Sequence, residues 1–250
     1  MENKKDRVDR FAVVLPSYNE VKNVSILVRR IRKALLSSTI IIVDDSPIEE
    51  NAKLKKATEK YENVKLISRL KKKGRGSAVL EGFREGLRDK SIKYFFEMDS
   101  DLAQDPRQFK RFIKKMFEKN ADLIIGSRYI SGGKIVDVSI PRVILSKIIN
   151  KFLNIWLGLR LTDFTDGFRL YKRHAVELIS NETIESTGFI TLSETIYKLS
   201  KKGIKIEEVP VTIYDRKHGI STRNLKELLV SFLFIVKMRV NDLKDNFKIT

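Results

Sequence analysis

The first half of the sequence repeats one pattern, in which a short apolar run alternates with an amphipathic stretch. The apolar runs are rich in β-branched and aromatic residues, as strands are, and they lie at 11–16, 40–45, 64–68, 94–98 and 121–127. The stretches between them carry apolar residues at i, i+3 and i+4, which predicts helices over 21–37, 49–61, 77–87 and 108–119. Apolar strands that alternate with helices form a mostly parallel sheet. The sequence therefore predicts an α/β fold with helices on both faces of that sheet.

Two segments of the second half are apolar and bordered by cations. Residues 139–160 carry only positive charges, and no acid occurs between Asp137 and Asp163. Residues 223–240 have an apolar centre with Arg and Lys on either side. Such helices either dock on the sheet or lie on an anionic membrane surface, and two of them in one chain favour the membrane. The apolar stripe of the first segment comprises Ile144, Leu145, Ile148, Ile149, Phe152, Ile155, Trp156 and Leu159.

The charge balance indicates the kind of partner to expect. The chain of 250 residues has a formal net charge of +18, which favours a phosphorylated substrate, an anionic membrane face or nucleic acid. It has no cysteine, hence no disulfide framework, as is typical of a reducing cytosol. The longest apolar run near the C-terminus, 228–236, is far shorter than the about 18 residues that span a bilayer. No secretory signal is evident, so we expect a cytoplasmic protein, peripheral on the cytoplasmic face of a membrane.

Polar residues follow three of the predicted strands. These residues are 16–20 after the first strand, 44–46 after the second and 99–101 after the fourth. Ligands of open parallel sheets bind at the carboxyl ends of the strands, so the three groups should converge. Asp99 and Asp101 have no cysteine or histidine nearby, and such a pair suits Mg²⁺ or Mn²⁺ completed by substrate phosphates and water. The alternative is an ordinary acidic turn.

A glycine-rich stretch, 71–82, is the nearest approach to a phosphate-binding loop. It lacks the G-x-x-x-x-G-K-[ST] pattern, which argues against a P-loop nucleotidase. Gly74 and Gly76 precede a predicted helix, whose N–H groups could attract a phosphate. A turn that requires positive φ explains the same glycines equally well.

Eight motifs in order resemble those of the dolichol-phosphate mannose synthases, which belong to glycosyltransferase family 2 and have the Rossmann-like GT-A fold. The resemblance covers residues 11–222 and implies a catalytic domain over 1–222, followed by a C-terminal amphipathic helix and tail over 223–250. Polyprenyl-phosphate glucosyltransferases share most of the motifs, so GDP-mannose and UDP-glucose are alternative donors. The motifs are VVLPSYNE, IIVDDS, RLKKKGRGSA, MDSDLAQDP, GSRYISGG, DFTDGFRLY, TGFITLSE and VPVTIYDRKHGIS.

The resemblance also implies roles for individual residues. Asp99 and Asp101 would hold the Mg²⁺ or Mn²⁺ ion that bridges the donor diphosphate. Arg128 and Arg142 would face the acceptor and the transferred sugar, and Arg216 would reach the diphosphate or the acceptor phosphate. With Asp101, these three arginines form the predicted catalytic set. The predicted nucleotide-sugar-binding residues are Pro16, Tyr18, Glu20, Val43, Asp45, Asp99, Ser100, Asp101 and Arg216.

The chain departs from the family pattern beside the metal pair and near its end. Ala103 stands where the family often has Gln or Ser, with Gln104 one place later, and this substitution removes a potential ligand. Thr222 replaces a lysine of the last motif, and Arg223 follows it. No transmembrane hairpins follow, so anchoring would rest on interfacial helices or on a small membrane partner subunit.

The reaction implied is transfer of a sugar, with inversion, from a nucleotide diphosphate to dolichyl or polyprenyl phosphate. A phosphate monoester has a second pKa of about 6 and is already a nucleophile at neutral pH, so no general base is required. Transfer to a sugar hydroxyl would require one, with Glu194 or Asp166 as candidates. A nucleic-acid-binding domain would show aromatic platforms within a basic stripe, which are missing, so no nucleic-acid partner is expected. The intact Asp99 and Asp101 pair argues against a catalytically inactive subunit.

Overall fold

The computed structural model describes residues 10–186, 190–215, 233–242 and 244. Its strands are β1 (Arg10–Ser17), β2 (Thr39–Asp44), β3 (Val64–Ser68), β4 (Ile92–Glu97), β5 (Leu123–Ser127), β6 (Lys134–Val136), β7 (Arg169–Lys172), β8 (Ile206–Pro210) and β9 (Thr212–Tyr214). Seven of these strands form one sheet in the order β3-β2-β1-β4-β7-β5-β8, and β6 pairs with β9 in a small second sheet. Every strand predicted in the first half is present at nearly its predicted position.

Helices cover both faces of the large sheet. They are α1 (Val21–Ala34), α2 (Ile48–Thr58), α3 (Arg75–Leu87), α4 (Phe109–Lys119), α5 (Ile140–Leu157), α6 (Arg173–Ser180) and α7 (Ile190–Lys201), and residues 233–242 are also helical. Alternate residues of β1 enter two separate cores, with Val14 on the side of α3 and Val13 on the side of α1 and α4. The predicted α/β architecture is therefore confirmed.

Strand β7 is the feature that the alternating pattern does not predict. It has only four residues and lies antiparallel between β4 and β5. Its first residue, Arg169, pairs with Glu97 at the carboxyl end of β4. Because β7 runs against its neighbours, the loop that precedes it, residues 163–168, lies at the same edge of the sheet as Asp99 and Asp101. The structure thus adds a fourth polar loop to the predicted site.

Helix α5 has two apolar faces rather than the single stripe read from the sequence. Phe152 and Trp156 pack against the core, and the Trp156 indole N–H donates to the carbonyl of Ile235 in the 233–242 helix. The second face is exposed, with Ile148 at 60% and Ile155 at 71%. Among the described residues, no helix is long and apolar enough to cross a membrane. Residues 223–232 of the second predicted amphipathic segment lie outside the described part of the chain.

Candidate active site

The loops that follow β1, β2 and β4 are bonded to one another at the carboxyl edge of the sheet. The Ser100 hydroxyl donates to the carbonyl of Pro16 at 2.7 Å, which joins the end of β4 to the end of β1. The backbone N–H of Asp45 donates to the carbonyl of Ser17 at 2.9 Å, which joins β2 to β1. The convergence predicted from the strand ends is therefore found.

Asp99 and Asp101 lie on this edge and line an open pocket. Asp101 Oδ1 accepts a hydrogen bond from the backbone N–H of Ala103 at 3.0 Å. Between these two residues, Leu102 has a φ of 64°, a left-handed conformation that few residues without a glycine's freedom adopt. Such strained turns occur where a site requires a particular backbone course. Here the turn places the Asp101 carboxylate at the pocket wall.

Gln104 joins the loop that carries Asp99 and Asp101 to the loop before β7. Its Oε1 accepts from the backbone N–H of Asp99 at 2.9 Å, and its Nε2 donates to Asp166 Oδ1 at 2.8 Å. The side chain is buried. Gln104 therefore holds the two acidic loops together, a role that the departure at Ala103 gave no reason to expect.

Arg128 lies in the pocket wall with its charge paired. Its Nε and Nη2 donate to the two oxygens of Asp163 at 2.6 and 2.7 Å, and Nη2 also donates to Thr165. Burial by itself would lower the pKa of Arg128, but Asp163 holds it above its ordinary value. Asp163 is in turn fixed through its backbone N–H, which donates to Glu208 on β8. Arg128 is thus held rigidly, and most N–H groups on one side of its guanidinium already donate to Asp163 and Thr165.

Arg142 is the more accessible of the two predicted acceptor-facing arginines. It lies in the first turn of α5, lines the same pocket, and keeps 40% of its side chain exposed. Its Nη1 is 3.2 Å from Asp215 Oδ1. Arg216, the third predicted arginine, lies outside the described residues, so its placement stays a prediction.

The predicted nucleotide side of the site lies at the ends of β1 and β2. Tyr18 is exposed there, and the Lys72 ammonium lies 5.1 Å from the centre of its ring. Glu20 accepts from the side-chain amide of Asn23. Val43 is fully buried beneath this surface, and its predicted contact with a nucleotide stays a prediction.

Asp45 organises the glycine-rich loop. Its Oδ2 accepts from the backbone N–H groups of Lys73 and Gly74 at 2.8 and 3.0 Å, and its Oδ1 accepts from Arg69 Nε at 2.5 Å. Gly74 has a φ of 96°. The turn is found at Gly74, whose N–H group is used by Asp45, whereas Gly76 has no positive φ and lies inside α3, where an added Cβ would clash with Thr191.

Acidic groups outnumber basic ones around the pocket. The buried carboxylates of Glu97, Asp163 and Asp166 lie close to the Asp99 and Asp101 pair, and the neighbouring cations are the guanidinium groups of Arg75, Arg128, Arg142 and Arg169. Burial raises the pKa of Asp166 to about 7, an effect that Arg128 opposes and Asp163 and Asp99 reinforce. A divalent cation would neutralise this excess of negative charge.

The donor set fits Mg²⁺ or Mn²⁺ bound together with a phosphorylated substrate. Among the described residues, no group of three or more His, Cys, Asp or Glu side chains converges as a complete metal site. Mg²⁺ in phosphate-binding sites typically takes one or two carboxylates and completes its shell with phosphate oxygens and water. Asp99 and Asp101 supply that number.

The two candidate general bases differ in position. Glu194 on α7 is fully buried, accepts from the backbone N–H and the hydroxyl of Ser186, and pairs with Lys198 Nζ at 2.8 Å. It does not line the pocket, whereas Asp166 does. The interpretation of Glu194 as a base stays a prediction, and among the described residues its partners are Glu185, Ser186 and Lys198 rather than groups of the pocket.

Comparison with known proteins identifies the family. The family model described as Glycosyl transferase family 2 matches residues 12–179. The chain belongs to glycosyltransferase family 2. This family 2 chain is 33% identical over 213 residues to an undecaprenyl-phosphate mannosyltransferase of Micrococcus luteus, over 85% of this chain and 86% of the relative. It is 32% identical over 214 residues to a polyprenol monophosphomannose synthase of Mycolicibacterium smegmatis, over 85% of this chain and 80% of the relative. The expected enzyme class, a glycosyltransferase, is confirmed.

Solved structures support the GT-A fold of this family 2 enzyme. Glucosyl-3-phosphoglycerate synthase from Mycobacterium tuberculosis, in complex with UDP, superposes with a TM-score of 0.64 over 93% of this chain and 80% of that chain. A second structure of the same protein, which holds Mn²⁺, UDP and glucosyl-3-phosphoglycerate, gives a TM-score of 0.64 over 92% and 81%. The identities are 16% and 17%, so these likenesses show the fold alone.

Proposed function

We propose that the chain transfers mannose from GDP-mannose to a polyprenyl or dolichyl phosphate, with inversion, at a membrane surface. The observation that carries the proposal is similarity over 85% of the chain to two relatives named for polyprenyl-phosphate mannosyl transfer. The pocket is consistent with it, because Arg128 and Arg142 face the same space as Asp99 and Asp101.

Asp99 and Asp101 would hold a divalent cation, Mg²⁺ or Mn²⁺. When bound, the ion would neutralise the charge that develops on the departing diphosphate. The excess of buried carboxylates around the pocket favours such an ion, and the Mycobacterium tuberculosis structure of the same fold contains Mn²⁺. The nucleotide would extend from there towards Tyr18, Glu20 and Asp45 at the ends of β1 and β2.

The acceptor phosphate would enter on the side of Arg142. This guanidinium is partly exposed at the pocket, so it can attract an anionic phosphate and donate hydrogen bonds to it from more than one N–H group. Arg128 would position the transferred group from the wall, where Asp163 prevents its fork from moving. No side chain has to remove a proton, since the phosphate dianion is itself the nucleophile.

Helix α5 would connect the pocket to the membrane. Arg142 and Ser146 line the pocket from its N-terminal half, while the exposed apolar side chains on its outer face lie next to Lys147 and Lys151. A lipid tail cannot leave the bilayer, so the enzyme has to reach the lipid phosphate at the surface. We propose a peripheral position on the cytoplasmic leaflet, reached through this face or with a small membrane partner subunit.

Transfer assays test the proposal. The protein is incubated with GDP-mannose or UDP-glucose, with polyprenyl phosphate or a free sugar as acceptor, and with Mg²⁺, Mn²⁺ or EDTA. We expect mannosyl transfer to the lipid phosphate only, lost in EDTA, with a rate that falls below a pH of about 6 as the phosphate is protonated. Transfer from UDP-glucose would make the enzyme a glucosyltransferase, and transfer to a hydroxyl would contradict the phosphate acceptor.

A further inference from the structure

Arg75 connects a buried acid to the metal-ligating pair. It is the first residue of α3, directly after Gly74, and its side chain is only 14% exposed. Its Nη1 donates to Glu97 Oε1 and its Nε to Asp99 Oδ1, each at 2.7 Å. Glu97 is buried, and its other oxygen accepts from the Tyr171 hydroxyl at 2.7 Å. Two carboxylates thus share one guanidinium.

This arrangement determines how Asp99 can meet a metal. Oδ1 is held by Arg75, so a carboxylate that chelated the ion through both oxygens would bring a divalent cation against a guanidinium. Repulsion between two cations in a site of low exposure is costly. Asp99 would therefore bind the ion through a single oxygen while Arg75 keeps the other.

Ligation through a single oxygen distinguishes between metals. Mg²⁺ requires near-octahedral geometry with short bonds, and one oxygen from each carboxylate meets that requirement. Ca²⁺ is larger, takes more oxygen ligands and readily accepts both oxygens of a carboxylate. We propose that Arg75 is a positioning residue that fixes Asp99 as a single-oxygen ligand and so selects Mg²⁺ or Mn²⁺ against Ca²⁺. The inference rests on the metal site of the proposed function.

Gly167 provides an independent way to displace the guanidinium. A Cβ added at this glycine would lie 2.0 Å from Arg75 Nη2, while its distance to Asp99 Oδ1 would be 3.2 Å. Since the nearest atom is the flexible end of the arginine, Gly167→Ala should displace the guanidinium first, with a smaller shift of Asp99. Gly167 has no positive φ, so alanine is compatible with its backbone.

The test compares metal affinities of the whole chain. Mn²⁺ binding is measured from the electron paramagnetic resonance signal of free Mn²⁺, with GDP or UDP present, and Ca²⁺ binding by competition. Arg75→Met with Glu97→Gln leaves the net charge unchanged, avoids an unpaired buried charge at Glu97 and releases Oδ1 of Asp99. Arg84→Met, an exposed arginine on the same helix whose partner is the carbonyl of Ser180, is the matched control.

We expect the ratio of Ca²⁺ to Mn²⁺ dissociation constants to fall about tenfold in the double variant and in Gly167→Ala, which is the scale at which residues that hydrogen-bond to metal ligands affect metal affinity. Arg84→Met should keep the wild-type ratio. Mn²⁺ bound with an unchanged ratio in both test variants would overturn this inference and leave the proposed function standing. If wild type binds no Mn²⁺ with either nucleotide, the metal part of the proposed function fails as well.

Discussion

Two aspartates in the loop after β4, Asp101 and Asp105, have different surroundings and should have different roles. Asp101 faces the pocket, whereas Asp105 caps the short turn at Pro106–Gln108 by accepting from the backbone N–H of Arg107. Asp101→Asn keeps the oxygen that accepts from Ala103 and removes the charge, so we expect transfer to fall by at least about 10²-fold with the fold retained. Asp105→Asn should lower stability by about 1 kcal/mol or less and leave transfer intact. Transfer assays and circular dichroism measure the two effects. Full turnover of Asp101→Asn would remove that residue from the site.

The raised pKa of Asp166 predicts that the stability of the protein depends on pH. Burial raises its pKa to about 7, well above the value near 4 of an exposed aspartate, so the folded protein keeps a proton that the unfolded chain releases. This contribution is fully present below a pH of about 4 and is lost as the pH rises through 7. In EDTA, the contribution of Asp166 to the free energy of unfolding should therefore fall by roughly 2–4 kcal/mol between those values. Asp166→Asn should flatten the curve, and urea unfolding across the range measures it. Parallel curves for the two proteins would contradict the raised pKa.

Single residues differ in how far the sequence predicts them. Asp99 and Asp101 follow from the sequence, because the end of a parallel strand is a known location in the fold. The hydrogen bonds that Glu194 accepts from residues 185 and 186 could not be predicted, because they depend on how one loop packs against α7. Arg75 was overlooked within a stretch read for its glycines, since only the completed sheet places α3 against the end of β4. Contacts between residues distant in sequence have no local signal.

At the scale of elements, Glu194 fastens the 185–186 segment to α7. Glu194→Gln would weaken its hydrogen bonds from Glu185 and Ser186 and its ion pair with Lys198, so we expect a loss of about 1–3 kcal/mol of stability. The pH–rate profile of transfer should keep its wild-type shape, because the residue is not in the pocket. Denaturant unfolding and transfer rates across pH measure the two effects. A loss of 10²-fold in rate at full stability would support Glu194 as a general base.

The sequence predicts the helices and strands with a clear apolar period. It does not predict a very short strand, or how the apolar stripe of a helix is divided between the core and the solvent. Strands β1 to β5 and helices α1 to α4 each have enough apolar residues to show a period. Strand β7 has four residues, which is too short for alternation to distinguish it from a loop. Helix α5 was read as one apolar stripe, but its stripe is divided between the core and the solvent because the 233–242 helix covers one part of it. The spacing of apolar residues in a helix shows which side chains share a face. It does not show whether that face is covered by other parts of the protein or by solvent.

At the scale of the whole molecule, the net charge of +18 and the exposed face of α5 both favour binding to an anionic membrane surface. The large exposed apolar side chains of this helix are Ile140, Ile144, Leu145, Ile148 and Ile155. Lys147 and Lys151 are also exposed on α5. An apolar face bordered by cations is typical of helices that bind anionic membranes. Phe152 and Trp156, which belong to the apolar stripe of the sequence, are partly buried against the core and contribute less to this surface.

We therefore expect α5 to hold the enzyme on anionic membranes. Each lysine near such a surface contributes about 1 kcal/mol, so Lys147→Glu with Lys151→Glu should weaken binding by about 2 kcal/mol or more, which is over tenfold. Lys110→Glu with Lys114→Glu makes the same change of charge on α4, where both lysines are exposed, and should have a much smaller effect. Ile148→Ser should weaken binding even at high salt, where the charge contribution is screened. Co-sedimentation with vesicles of graded anionic lipid content measures all three.

If both charge-reversed variants lose binding equally, the attraction comes from net charge and α5 is not the docking face. If the wild type stays in the supernatant at every composition, the protein reaches its lipid through a partner subunit.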